Sequence, residues 1–340
     1  MKRITIKDIA DRSGYTVATI SRALNNNPMV NINTRNKILE IAKNIGYIDA
    51  ETPKKDHKAV IGVIIPDIYN PYFPLLIKGI QEQLAEEGLG ILICNSNSDP
   101  RTETECIKTL VDAGVNGIIM DPLTDHSYKK LRYINKQLPV VFTSNIPKGA
   151  DINYITIDNY AAAQIATSYL ISLGHSHIAY IGGNEESDTY RLRLAGYCDT
   201  MKKQFSHLNP RLITKVFPDR KSGFQAANMI MTTNERPTAF FASNDNLALG
   251  VLEYLQKHGF EVPKEISVIG IDDIEMSSLP GIDLTTIEEP RYLLGQTAAT
   301  SMVELLNHQI VSENHEPLQI TLQPKLIIRS TCSKVHNYMQ

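Results

Sequence analysis

Three observations along the 340 residues predict an α/β protein that carries a small all-helical head. Residues 4–48 hold short stretches whose apolar side chains recur at helical spacing. Residues 49–59, DAETPKKDHKA, contain no large apolar side chain, one proline and six charges among eleven, which makes a linker. From residue 60 onward, apolar runs alternate with amphipathic helical segments, and strand–helix alternation of that kind builds parallel sheets covered on both faces.

The head reads as three helices. Ile6, Ile9 and Ala10 share a face at i, i+3 and i+4, which predicts a helix over 6–12. Thr5 stands at its N-cap, with Asp8 in the first turn at the positive end of the helix dipole. Gly14 follows, suited to the positive φ of a tight turn. VATISRAL (17–24) forms the second helix, capped by Thr16, with Ile20 and Leu24 inward and Val17 either partly inward or on the outer face. The third spans about 34–45, capped by Asn33 or Thr34, with Ile38, Ile41, Ala42 and Ile45 inward and Gly46 at its end. Two short helices across a glycine turn, closed by a third, follow the helix-turn-helix plan. Charge agrees with a polyanionic partner: residues 1–58 hold eleven Lys/Arg and six Asp/Glu, a balance of +5, which leaves −8 for the remainder.

In the body, strands are predicted at 60–66, 90–95, 117–122, 139–144, 177–182, 238–244 and 267–273, with helices such as 74–88, 161–174 and 246–259 between them. Ligands of such sheets bind beyond the carboxyl ends of the strands. The residues there are Asp67, Asn70, Tyr72, Phe73, Asn95, Asp121, Ser144, Asn145, Arg193, Asn244, Asp245, Asp272 and Asp273. Planar amides, carboxylates and a guanidinium pair with the adjacent hydroxyls of a polyhydroxylated ligand, and aromatic rings cover its apolar C–H face. Asn70 and Asn244 precede helices, so each reads equally well as a helix cap.

Other classes find little support. No run of eighteen apolar residues occurs, and the N-terminus has no apolar stretch or cleavage site of a secretory signal. Four cysteines (Cys94, Cys106, Cys198, Cys332) form no CxxC pair, so neither a disulfide framework nor a zinc site is expected. A cytoplasmic protein without cofactor or metal follows as the expectation. Phosphate-loop, dinucleotide and nucleophile-elbow motifs are absent, which argues against an enzyme. Asp272–Asp273 and His175–His177 are the remaining catalytic or metal candidates; the aspartates read better as hydroxyl acceptors, and the histidines as part of a surface turn.

The head, TIKDIADRSGYTVATISRALNNNPMVNINTRNKILEIAKNIGY, resembles that of the LacI/GalR family of bacterial transcription regulators. The body resembles the same family's effector domain in IGVIIPDIYNPYF, NGIIMDP, RLRLAGY, SNDNLALG, GIDDIEMSS and LTTIEEP. The resemblance implies a helix-turn-helix headpiece (1–48), a hinge (49–59) and a periplasmic-binding-protein-like type I domain (60–332) of two doubly wound parallel-sheet lobes. The N-lobe would comprise about 60–160 and 291–322, the C-lobe about 161–290 and 323–332. It also implies a homodimer, since the C-terminal segment lacks a tetramerising leucine heptad, bound to double-stranded operator DNA and switched by a small sugar-like effector. A periplasmic sugar-binding protein would share the body but has no use for the head.

Residue roles follow from the match. Val17, Ala18 and Arg22 would read bases, with the guanidinium pairing two donors to a guanine. Thr5, Thr16, Thr19, Ser21, Asn25 and Tyr47 would meet phosphates. Asn70, Tyr72, Phe73, Arg193, Asn244 and Asp272 occupy effector-facing positions, with Asp121 and Ser144 as further candidates. Glu289 stands where many relatives carry glutamine and, when ionised, accepts hydrogen bonds without donating. Glu289 and the Ser144–Asn145 pair depart from relatives that bind ribose. The linker departs too: with no leucine to wedge into the minor groove, it is expected to bend DNA less than its relatives do or to stay disordered. Helix 295–308 has no Lys or Arg for a phosphorylated carrier protein, which favours the sugar effector.

Overall fold

The computed structural model describes residues 5–24, 30–45, 47, 59–124, 126–134, 138–146, 152–308 and 317–335. The chain divides into two compact units, Met1–Lys58 and Ala59–Gln340. Asn25, Gly46 and the linker 49–58 lie outside the described residues.

The first unit holds α1 (Ile6–Ser13), α2 (Val17–Leu24) and α3 (Ile32–Asn44). Thr5 caps α1: its backbone N–H and its hydroxyl both donate to the Asp8 carboxylate, at 2.6 and 2.7 Å. Gly14 turns the chain at φ 71°. Thr16 caps α2 by accepting from the Thr19 N–H at 3.2 Å. The third helix begins at Ile32, earlier than its apolar spacing suggests, because the Asn31 side chain accepts from the Asn33 N–H at 2.9 Å. Ile9, Ile20, Ala23, Ile38 and Ala42 form the core, with Tyr15 and Tyr47 packed against its edge. Val17 is 45% exposed and lies on the outer face; the inward position falls to Ala23 instead.

The second unit contains two six-stranded sheets. In chain order its elements are β1 (Val60–Ile65), α4 (Tyr72–Glu86), β2 (Gly90–Asn95), α5 (Pro100–Asp112), β3 (Gly117–Met120), α6 (His126–Ile134), β4 (Val140–Thr143) and β5 (Asn153–Ile157). There follow α7 (Asn159–Ser172), β6 (Ile178–Gly182), α8 (Asp188–Phe205), β7 (Ile213–Lys215), α9 (Arg220–Met231), β8 (Ala239–Ala242), α10 (Asp245–Lys257), β9 (Ser267–Asp272) and β10 (Thr285–Glu288). Last come α11 (Arg291–His308), β11 (Gln319–Leu322) and β12 (Lys325–Ile327). The sheets run β11-β5-β4-β3-β1-β2 and β12-β10-β9-β8-β6-β7. Every pairing is parallel except β10 with β12.

The chain passes from one sheet to the other three times, at 157–159, 288–291 and 322–325. Each sheet is doubly wound and has a buried interior on both faces. The last strand is Lys325–Ile327, and beyond it Thr331 donates its hydroxyl to the Val268 carbonyl at 2.7 Å. His175 is also not in a surface turn. It is 3% exposed, with ring nitrogens against the Thr238 and Ser267 hydroxyls and the Ser333 carbonyl at 2.9–3.0 Å, so it anchors the C-terminal segment. No group of three His, Cys, Asp or Glu side chains suited to a metal occurs among the described residues.

Helices α4 and α11 cross backbone to backbone at Gly79 and Gly295. A Cβ at Gly79 would lie 2.2 Å from the Tyr292 carbonyl oxygen, and one at Gly295 2.2 Å from that of Leu76. Gly79→Ala must therefore push the two helices apart. It is expected to destabilise the protein by about 1–3 kcal/mol, read as a lower urea midpoint with unchanged slope.

Candidate functional site

In the head, the exposed arc of α2 carries Val17, Ala18 and Arg22, with Ser21 half-buried between them, while Ile20 and Ala23 face the core. Positions 17, 18, 21 and 22 fall within less than half a turn of the helix circumference, so one face presents two small apolar groups and a guanidinium. Thr5 and Thr16 are exposed, Thr19 is half-buried, and the Thr16 and Thr19 hydroxyls share a hydrogen bond of 2.9 Å. Tyr47 is half-buried.

In the body, the carboxyl ends of both sheets face a cavity of about 420 Å³. All nine side chains predicted for the effector site line it: Asn70, Tyr72, Phe73, Asp121, Ser144, Arg193, Asn244, Asp272 and Glu289. Asp67 and Asn145 line it as well. Of the other strand-end candidates, Asn95 accepts from the Ile68 N–H at 3.1 Å and props the first loop. Asp245 lies underneath, receiving Thr286, Ser277 and the Ile274 N–H at 2.6–3.0 Å. Asp273 pairs with Arg329 at 2.6 Å.

Arg193, on α8, is 3% exposed. Its Nε donates to Asn159 Oδ1 at 2.8 Å, Nη1 to the Ser243 carbonyl at 2.5 Å and to Asp272 at 3.5 Å, and Nη2 to Glu289. The Tyr72 and Ser144 hydroxyls share a hydrogen bond of 3.1 Å. Asn70 accepts from the Tyr72 N–H at 3.0 Å, and Asn244 accepts from the Leu247 N–H at 2.9 Å while donating to the Pro218 carbonyl at 3.2 Å. These two asparagines are caps and cavity residues at once. Ser144, Asp272 and Asp273 hold positive φ of 56°, 120° and 54°. Each costs of order 1–3 kcal/mol outside glycine, and strain of this kind gathers at functional sites.

Two family models cover the chain. Residues 5–49 match bacterial regulatory proteins of the lacI family, and residues 58–330 match the periplasmic binding proteins and sugar binding domain of the LacI family. The chain belongs to the LacI family. This makes it a DNA-binding transcriptional regulator with a metabolite-sensing domain rather than an enzyme. The PurR repressor of Histophilus somni is 30% identical over 332 residues, covering 96% of this chain and 98% of the relative. A lac repressor dimer, solved with operator and the anti-inducer ONPF, superposes with a TM-score of 0.73 at 26% identity, over 98% of this chain and all of that one. A LacI family regulator from Enterococcus faecium, solved with ribose, gives 0.71 at 25% identity over 82% of this chain and all of that one.

Several cavity residues of this LacI-type domain escaped the sequence reading. Asn159 follows β5, whose polar NYITI pattern hides a strand. Tyr190 lies one turn before Arg193 on α8, and its helical spacing from that arginine was the available signal. Ser187 and Asn246 reach across from the second lobe. Ser187 Oγ and the Thr189 N–H donate to Asn145 Oδ1 at 3.1 and 3.2 Å, and Asn246 Nδ2 donates to Asn70 Oδ1 at 3.4 Å. The lobes are thus bridged by hydrogen bonds at the mouth of the cavity.

Burial sets the electrostatics. It works against the charge on Arg193, but Glu289 and Asp272 more than offset this and hold the guanidinium above its ordinary value. Burial raises the Asp272 carboxyl well above the carboxylate range, with Arg193 opposing and Glu289 reinforcing the shift. Burial also pushes Asp121 up to about 8, against the Asn145 N–H that hydrogen-bonds it, with Glu103 and Glu289 adding repulsion. Between its ordinary value of 3.8 and about 8, folded Asp121 holds a proton that the unfolded chain has lost, so stability present at low pH is lost as pH rises through that window. Asp121→Asn removes this penalty. Its melting temperature is expected to exceed that of the parent by a margin that grows from pH 4 to pH 8, measured by scanning calorimetry without added metabolite.

Proposed function

We propose that the chain is a repressor that grips a twofold-symmetric operator as a homodimer and is released by a small sugar-like effector, working in the cytoplasm. Residues 1–48 form the reading head, 49–59 the hinge and 60–332 the sensing domain. The observation that carries this reading is one chain holding both an outward Val17, Ala18 and Arg22 face and a cavity lined by amides, carboxylates, aromatics and a single buried guanidinium. Among the described residues, no helix is long and apolar enough to cross a membrane.

On DNA, Arg22 donates twice to a guanine edge while Val17 and Ala18 meet thymine methyls. Thr16, Thr19, Ser21, Asn25 and Tyr47 contact phosphates and set the register. Thr5 joins them by exchanging its hydroxyl hydrogen bond to Asp8 for one to a phosphate. Exposed apolar residues on the first lobe, Leu75 on α4 with Leu92 and Ile93 on the edge strand β2, support self-association.

The effector sits among Asn70, Tyr72, Phe73, Asp121, Ser144, Arg193, Asn244, Asp272 and Glu289. It acts by favouring one arrangement of the two lobes over another, and it shifts that balance only as far as its affinities for the two differ. Effector and operator then change each other's affinity by the same factor. Fluorescence anisotropy at low salt tests the whole reading: preference for a twofold-symmetric promoter fragment over random duplex is expected, and equal binding to both would overturn it.

Two variants probe the parts. Arg22→Ala is expected to lose about 1–3 kcal/mol of discrimination at one base pair of each half-site, seen as a relaxed position in a binding-site selection. Asn145→Ala removes the acceptor that bridges the lobes. At about 0.5–1.5 kcal/mol for a net hydrogen bond, it is expected to weaken effector binding by roughly two- to tenfold in calorimetry.

A further inference from the structure

The charge lining the cavity is lopsided. Among its nine-tenths-buried side chains are three carboxylates, Asp121, Asp272 and Glu289, against one cation, Arg193, and no lysine or histidine lines it among the described residues. Arg193 pairs with Glu289 and Asp272. The other buried guanidinium nearby, Arg291, stands behind the Tyr72 ring at 5.8 Å and donates to the backbone carbonyls of Pro71 and Asp273. Asp121 is left over. It is 8% exposed and has no cation within 4.0 Å among the described residues; its one hydrogen bond there is the Asn145 N–H on Oδ1 at 3.3 Å. Its second oxygen accepts from no described residue.

The rim has the same sign. Asp67, Glu186 and Asp219 line the mouth against Arg220, which is itself paired with Glu253 at 3.1 Å. Two phenols, buried Tyr72 and half-buried Tyr190, sit within the field of all three inner carboxylates. Aromatic rings beside unpaired carboxylates favour a cation and repel an anion.

We propose, resting on the effector reading above, that the metabolite taken by this cavity is an amino sugar whose protonated amine is seated at Asp121, beside Glu289 and Asp272. Its hydroxyls meet the amides of Asn70, Asn159 and Asn244 and the Arg193 guanidinium, and its apolar face lies on Tyr72 and Phe73. A phosphorylated sugar is excluded by the same carboxylates. Binding of the ammonium also ionises Asp121: the carboxyl that burial holds protonated near neutrality gives up its proton to solvent when the cation is seated beside it. The groups facing it in that step are Glu103, Glu289, Arg193 and the Asn145 N–H.

Titration calorimetry on the full chain at pH 7 decides this, using D-glucosamine, D-galactosamine and D-mannosamine, their unsubstituted and N-acetyl counterparts, and glucosamine 6-phosphate, in two buffers of different ionisation heat. At least one free amine is expected to bind about tenfold or more tightly than its neutral counterparts, the scale of one hydrogen bond to a charged group. That binding releases protons. Asp121→Asn, checked for folding by its melting curve, is expected to bring the amine-to-neutral ratio close to one and to abolish the release; Glu289→Gln lowers the ratio independently. A neutral sugar binding as tightly as its amine, or the phosphate binding more tightly than either, overturns the charge assignment and leaves the sugar-sensor reading standing. No binding by any of these compounds overturns both.

Discussion

The guanidinium of Arg193 is the point on which the sensing domain turns. It reaches Asn159 just after the first passage between the sheets and Glu289 within the second, and it also bonds the chain ends of β8 and β9 through Ser243 and Asp272. One planar group thereby fixes two of the three connections between the lobes and the floor of the cavity together. A lysine could supply the charge but not the fixed fork of donors that meets four partners. The burial is tolerable because each of the three guanidinium nitrogens has an acceptor and two carboxylates surround the charge; removing the arginine would leave those carboxylates buried and unpaired.

That arrangement explains why the surrounding backbone is held in uncommon conformations. Asp272 and Asp273 at the end of β9 and Ser144 at the end of β4 all take positive φ without being glycine. At Asp272 the conformation brings a carboxylate to the guanidinium, and at Ser144 it brings a hydroxyl to Tyr72. The local cost is met by the polar network around it, and the rest of each sheet, buried on both faces, supplies a rigid frame.

Much of this was legible in the chain. Strands such as VIGVII and SVIGID are buried along nearly their whole length and read as apolar runs, and α2 was bounded at Val17 and Leu24 by its cap and its spacing. The carboxyl ends of those runs led to eight of the nine predicted effector residues, and Glu289 came from the family resemblance alone. What escaped depends on contacts distant in sequence. The edge strand β7, Ile213–Lys215, is too short and too polar to stand out, and β5 mixes Asn, Tyr and Thr among its apolar positions. His175 follows a glycine and looks exposed until the Ser333 segment, 158 residues away, folds over it. Ala23 is fully buried in the core of the three short helices, although the inward spacing of α2 points to Ile20 and Leu24.

The same network connects ligand charge to lobe geometry. Asn145 holds Asp121 through its backbone N–H, holds the Pro122 carbonyl through its amide nitrogen, and accepts Ser187 and the Thr189 N–H from the opposite lobe with its amide oxygen. A hydrogen bond to an ionised carboxylate is stronger than one to its protonated form. Ionisation of Asp121 therefore tightens the first of these contacts, and because one residue makes them all, the change reaches the bridge between the lobes without any intervening chain of side chains. Charge at the cavity floor and closure at the cavity mouth are two readings of a single asparagine, and that gives a small ligand leverage over the arrangement of a 340-residue regulator.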